Sequence, residues 1–193
     1  MPRLWTRTIE SHRREVHDAI IDAAAVLVAE HGLLGVTMSQ IAEKTGIGRA
    51  TLYKYFPDVE SIMLAWHDRE VAGHLTYLAE VRDRTEGPAE RLESVLEAYA
   101  MLTRHAHGHD PGFAELFHRD DRMRHAHRQV QLMLRDLVSA AAEAGQVRTD
   151  VPAEELAAFC MNALTGTRAR TSKAAVHRLV SITMAGLRDQ PRS

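Results

Sequence analysis

The chain has 193 residues, the length of one domain or of one domain with a small appended module. Hydrophobic residues at 45% supply a core and exclude wholesale disorder, while aromatics at only 5% favour helix over a sandwich or barrel. A single cysteine, Cys160, excludes an internal disulfide and a multi-thiolate zinc site, and a net charge of −2 does not announce a nucleic-acid binder in bulk.

No stretch approaches the roughly 18 apolar residues of a membrane span. The densest, Ala23 to Ala29, is about seven long. Met1 to Arg14 is polar and basic and lacks an apolar signal region. The expectation is a cytoplasmic protein with no membrane partner, in keeping with sparse cysteine. Charge is unevenly spread. Arg3, Arg7, Arg13 and Arg14 face only Glu10 in the first 14 residues, and residues 44–55 carry Lys44, Arg49 and Lys54 with no acid.

In chain order, the 3.6-residue period predicts a helix over 13–31, with Val16, Ile20, Ala23, Ala24 and Leu27 on one face. Short helices follow at 38–44 and 49–55. A long one spans 59–84, about 40 Å at 1.5 Å per residue. After Pro88 the register of Leu92, Val95, Leu96 and Tyr99 gives a helix to 106. A short helix is expected at 111–118, and a longer one at 121–144 with Val130, Leu134, Leu137, Val138 and Ala141. Residues 153–168 carry Leu156, Phe159, Cys160, Ala163 and Leu164, and residues 172–189 carry Val176, Leu179, Val180, Thr183 and Leu187. Thr171 and Ser172 supply the break and an N-cap between the last two. The fold class is all-α with about nine helices, and no alternating strand pattern or repeat is visible.

The two short helices carry the chemistry. Thr37 can cap the first, Gly46 makes the turn, and Ile41, Ala42, Ile47 and Leu52 are apolar. This is the pattern of a helix-turn-helix, whose second helix enters the major groove. That helix would present Arg49, Ala50, Tyr53 and Lys54 outward. Arginine grips guanine with two donors, and a small alanine face can meet a thymine methyl. Thr51, Lys54 and Tyr55 can reach phosphate oxygens. A plain surface hairpin of helices is the alternative on turn chemistry alone.

The run from Val36 through Thr37, Ile41-Ala42, Gly46 and Thr51-Leu52-Tyr53-Lys54-Tyr55-Phe56 to Pro57 resembles the signature of the TetR family of bacterial transcriptional regulators. The resemblance covers about 50 residues. It implies an N-terminal three-helix DNA-binding unit, placed here at 1–57 with its basic arm. It also implies a C-terminal helical domain, 58–193, that binds an effector and dimerises through its last two helices. Thr37, Thr51, Lys54 and Tyr55 match phosphate-contacting positions of the family. Ser39, Arg49, Ala50 and Tyr53 match base-facing positions. One departure stands out: the family often has a lysine that touches phosphate shortly after the proline, where this chain has Asp58-Val59. The basic arm can compensate by reaching a groove or backbone, or it is a solvated tail.

The expected partners are therefore a palindromic duplex operator, a second copy of the chain and a small, largely apolar effector that releases a repressor. Candidate effector contacts are Tyr99, Thr103, Phe113, Phe117, Met133, Phe159 and Asn162, an apolar lining with a few polar groups. Met101, Met123, Met133 and Met161 suit a core or a pliable cavity. Dimerisation is expected through 153–189, where Ala157, Ala158 and Met161 lie beside Leu156 and Phe159, and where Ala163 and Gly166 are small. Cys160 reads as a buried small hydrophobe. The histidines at 105, 107, 109, 118, 125 and 127 read as solvated or interhelical, with a metal-sensing regulator, or one without an effector, as the alternative. No cofactor is expected. Neither a Gly-rich phosphate loop, nor a nucleophile elbow, nor a pair of Glu-x-x-His segments is present. An all-helical hydrolase built on His118, Asp120 and Asp121 is the remaining enzyme reading, and the expectation is that the chain is not an enzyme.

Overall fold

The computed structural model describes residues 3–106, 121–165 and 172–188. Among them lie eight α-helices, one short 3-10 turn (Leu33–Gly35) and no strand. The helices are α1 (Arg3–His31), α2 (Met38–Thr45), α3 (Arg49–Tyr55), α4 (Val59–Arg84), α5 (Pro88–Ala106), α6 (Asp121–Glu143), α7 (Ala153–Thr165) and α8 (Lys173–Leu187). The predicted helix at 111–118 falls outside the described residues, as do residues 166–168 at the end of the predicted helix 153–168.

The first difference from the sequence reading is at the start. Helix α1 begins at Arg3, ten residues before the expected 13. Residues 3–12 contain neither proline nor glycine, so nothing interrupts a helix that continues backward from its buried half.

Contacts divide the chain into two units, and the division falls inside α4 after Glu70, whereas the sequence suggested a boundary at 57/58. In the first unit, Ile20, Ile21, Ala24, Leu27 and Val28 of α1 meet Met38, Ile41 and Ala42 of α2. Leu52 of α3, Phe56 and the α4 residues Ile62 and Met63 complete this core. Each such aliphatic side chain, fully buried, contributes about 1.5–3 kcal/mol against exposure. An Arg69–Asp22 ion pair ties α4 to α1 at the surface, where exposed pairs stabilise little.

The second unit gathers Leu78 of α4, Leu92, Val95, Leu96 and Tyr99 of α5, and Leu134, Leu137, Val138 and Ala141 of α6 around the last two helices. Ser172 caps α8: its hydroxyl oxygen accepts from the Ala175 N–H at 3.2 Å. Helix α7 is turned by about one residue from its expected face. Leu156, Ala157, Cys160, Met161 and Leu164 point inward, and Phe159 stays 48% exposed. Ala157 and Met161 therefore belong to the core, not to an outer face. Cys160 is fully buried, and burial pushes its thiol pKa up to about 12, so it stays protonated at neutral pH.

Candidate nucleic-acid interface

The site is built from α2, the turn at Gly46 and α3. Thr37 stands at the N-cap of α2, with its hydroxyl oxygen accepting from the Gln40 N–H at 3.4 Å. Gln40 completes the box: its side-chain oxygen accepts from the Thr37 N–H at 2.8 Å. The Thr37 hydroxyl also donates to Gln40 Oε1 at 2.8 Å, so this side chain is engaged in holding the helix start. Gln40 was missed in the sequence reading, although Thr-x-x-Gln is a capping-box signature.

Gly46 ends α2 at φ 70°, and its N–H donates to the Glu43 carbonyl at 3.2 Å. Only glycine adopts this left-handed geometry without cost; a Cβ there costs roughly 1–2 kcal/mol. The turn then sends the chain into α3 from Gly48.

Helix α3 has seven residues and one buried side chain, Leu52. All the predicted contacts on it, Arg49, Ala50, Thr51, Tyr53, Lys54 and Tyr55, lie outside that anchor. Arg49, Ala50, Thr51, Lys54 and Tyr53 are exposed, while Tyr55 is half-buried and packs against the first core. Ser39 is half-buried in the first turn of α2. The helix thus turns one basic, hydrogen-bonding face to solvent, with arginine at its start and lysine in its last turn. A ring contact of His17 with Phe56, centroids 4.9 Å apart, backs the end of α3 from α1. Nothing in the sequence pattern marked it.

Asp58 answers the departure noted above. Its carboxylate accepts from the Ser61 N–H at 2.7 Å, and the Ser61 hydroxyl donates to the Asp58 carbonyl at 2.8 Å. The start of α4 is capped by its own chain, so an amine that would hold phosphate there is replaced by an anion.

The predicted effector contacts are scattered. Tyr99 is buried in the second core, and burial raises its hydroxyl pKa. The Thr103 hydroxyl donates to the Ala100 carbonyl at 3.0 Å. Met133 packs partly buried against the same core. Phe159 and Asn162 are both exposed, because α7 turns its other face inward, so neither lines an interior cavity. Phe113 and Phe117 lie outside the described residues. A groove of about 370 Å³ in the second unit has different walls: Tyr77, Val81, Ala98, Met101 and Val176, with His177 and Glu97 hydrogen-bonded at 2.8 Å on its edge.

Among the described residues, no three His, Cys, Asp or Glu side chains gather as a metal site. His105 and His109 are four apart, a spacing that can share a metal, but His107, His109 and His118 lie outside the described residues. No helix among the described residues is long and apolar enough to cross a membrane.

A three-helix unit that exposes a short basic helix from a capped turn defines a DNA-binding regulator of transcription. Residues 20–65 match the family of bacterial regulatory proteins described as tetR, and residues 87–189 match the C-terminal domain of SbtR-like transcriptional regulators. The chain belongs to the TetR family, whose members are DNA-binding regulators and not enzymes.

Among its relatives is the transcriptional repressor LfrR of Mycolicibacterium smegmatis, 33% identical over 101 residues, which are 49% of this chain and 50% of that protein. The chain spans about half the length of the curated relatives it matches. A TetR/AcrR regulator from Thermobifida fusca superposes with a TM-score of 0.72 at 20% identity, covering 90% of this chain and 98% of that one. The transcriptional regulator FadR of Bacillus subtilis, solved in complex with stearoyl-CoA, superposes with a TM-score of 0.65 at 17% identity, covering 88% of this chain and 98% of that one. These structures share the fold.

Proposed function

We propose that the protein is a cytoplasmic homodimeric repressor that binds a palindromic operator through α2 and α3 and is released by a small, largely apolar effector. The observation that carries the DNA half is α3: one buried leucine fixes it, and Arg49, Ala50, Thr51, Tyr53 and Lys54 all face out. Arg49 and Tyr53, with Ala50 and Ser39, meet base edges in this reading. Thr37, Thr51, Lys54 and Tyr55 meet phosphates.

The test is selection of bound sequences from a random duplex pool, followed by titration of two variants. Arg49→Ala should cost about 1–3 kcal/mol and relax preference at one base pair per half-site. Lys54→Ala should weaken all sequences alike and flatten the salt dependence by about one phosphate's worth. A pool that yields no enriched inverted repeat defeats the operator reading.

The effector half rests on the groove in the second unit, whose volume of about 370 Å³ suits a small molecule. Its candidate contacts are the groove walls Tyr77, Val81, Ala98, Met101 and Val176; Tyr99, Thr103 and Met133 do not line it. That this fold can hold an apolar acyl ligand is supported by FadR. Linkage sets the expected result. An effector that weakens operator binding tenfold, about 1.4 kcal/mol, must itself bind free protein tenfold more tightly than the operator complex. Displacement of a fluorescent operator by a panel of apolar compounds, with each hit's affinity measured with and without DNA, checks it. Equal affinity for both forms contradicts the mechanism.

A further inference from the structure

The groove in the second unit is chemically suited to one kind of occupant. It runs along facing stretches of α4 and α5 and is bordered by the start of α8. Val81, Ala98, Met101 and Val176 give it apolar walls, and Tyr77 adds an exposed aromatic ring. One carboxylate lines it, that of Glu97. Its Oε1 is hydrogen-bonded to His177 Nδ1 at 2.8 Å, a bond that joins α5 to α8. Its other oxygen, Oε2, takes no hydrogen bond among the described residues.

The charge around that carboxylate is negative. Residues 80–97 run along both walls and hold six acids, Glu80, Asp83, Glu86, Glu90, Glu93 and Glu97, against three arginines, a net charge of −3. Two of the arginines are already engaged. Arg84, which lines the groove, bonds to Glu80 at 2.5 Å, and Arg82 bonds to Asp83 at 2.7 Å. An anion entering the groove therefore meets a guanidinium that is already paired and an excess of acids. A cation meets a carboxylate with an open oxygen and an aromatic ring, and both attract positive charge. The bond to His177 holds the carboxylate at the edge of the groove before any ligand arrives, which lowers the ordering cost of binding.

We infer that the groove takes a monovalent organic cation with an apolar body. Its positive charge stands between Glu97 and Tyr77, and its hydrocarbon part lies along Val81, Ala98, Met101 and Val176. The inference deepens the effector reading above. It rests on that reading for the ligand's regulatory role and on the groove's own charge for the class of ligand.

The experiment uses the full chain and three small probes: benzyltrimethylammonium, its neutral carbon isostere neopentylbenzene, and the anion phenylacetate. Each is titrated into wild type, Glu97→Gln and Tyr77→Leu by ligand-observed NMR. Glutamine keeps the size and helix propensity of glutamate and an oxygen for His177, and circular dichroism verifies the fold. Glu97→Gln should weaken the cation roughly fivefold, the scale of one partly exposed charge pair, and leave the neutral isostere unchanged. Tyr77→Leu keeps an apolar wall and should weaken the cation about threefold. Wild type that does not bind the cation overturns the inference. So does an affinity for the cation that is the same in Glu97→Gln, or a loss there that the neutral isostere shares. Phenylacetate bound more tightly than the cation, and lost in Arg84→Gln, assigns the groove to acids and also overturns it. Release of operator by the cation is read separately. Cation binding that depends on Glu97 without any release upholds the inference and defeats the effector reading instead.

Discussion

Leu52→Ala is expected to abolish operator binding without removing any atom that touches DNA. Leu52 is the one fully buried side chain of α3 in the core of the first unit, with Tyr55 packed half-buried against it. A seven-residue helix has no stability of its own, so its position depends on that anchor. Truncating a buried leucine costs about 2–5 kcal/mol, a large share of what holds a unit of this size together. Hydrogen exchange should show the α2 and α3 amides losing protection while those of α6 keep theirs. Tyr53→Ala on the same helix is the contrast. Tyr53 is 55% exposed, so its loss should change stability by no more than about 0.5 kcal/mol while weakening operator affinity. Unchanged exchange and full binding in Leu52→Ala would show that α3 is held by something other than its leucine.

The helix-turn-helix was legible because its determinants are local. A capping threonine, a turn glycine and the apolar residues Ile41, Ala42, Ile47 and Leu52 each act within a few residues, and each appears in the structure where the sequence put it. The face of α7 was not legible for a physical reason. Leu156 to Met161 is an unbroken apolar run, so a wheel turned by one residue looks as amphipathic as the correct one. Only the packing of α5, α6 and α8 decides that Ala157 and Met161 go inside and Phe159 stays out. The groove between α4, α5 and α8 joins residues about 100 apart in sequence, such as Tyr77 and His177, which no local pattern brings together. The early start of α1 leaves no apolar periodicity to read, because residues 3–12 are mostly polar and permit a helix only by lacking proline and glycine. Asp58 is both a loss of positive charge and a helix cap, and the cap is local enough to be legible as Asp-x-x-Ser.

Ile182→Asp should convert the proposed dimer to a monomer. The reason lies in what α7 and α8 leave uncovered. Phe159 is 48% and Ile182 68% exposed, and the Phe159 ring lies beside Gly186, where a Cβ would stand 3.7 Å from it. Ala163 and Leu179 are half-buried beside them, and Ala185 is exposed. Large apolar side chains over small ones form a self-complementary surface, suited to a two-fold pairing of α7 and α8 with their mates as a four-helix bundle. In one chain, an aspartate at 182 meets water and costs the fold nothing beyond helix propensity. In a two-fold interface it appears twice, as two like charges taken out of water at several kcal/mol each. About 4 kcal/mol is a thousandfold in dissociation constant, enough to move a nanomolar dimer to micromolar. Light scattering at micromolar concentration should therefore give a mass near one chain, with unchanged helicity. The full palindrome should then bind no better than an isolated half-site, because two recognition helices spaced about 34 Å apart require the dimer. A dimer that survives Ile182→Asp with its operator affinity intact would place the subunit contact elsewhere on the chain.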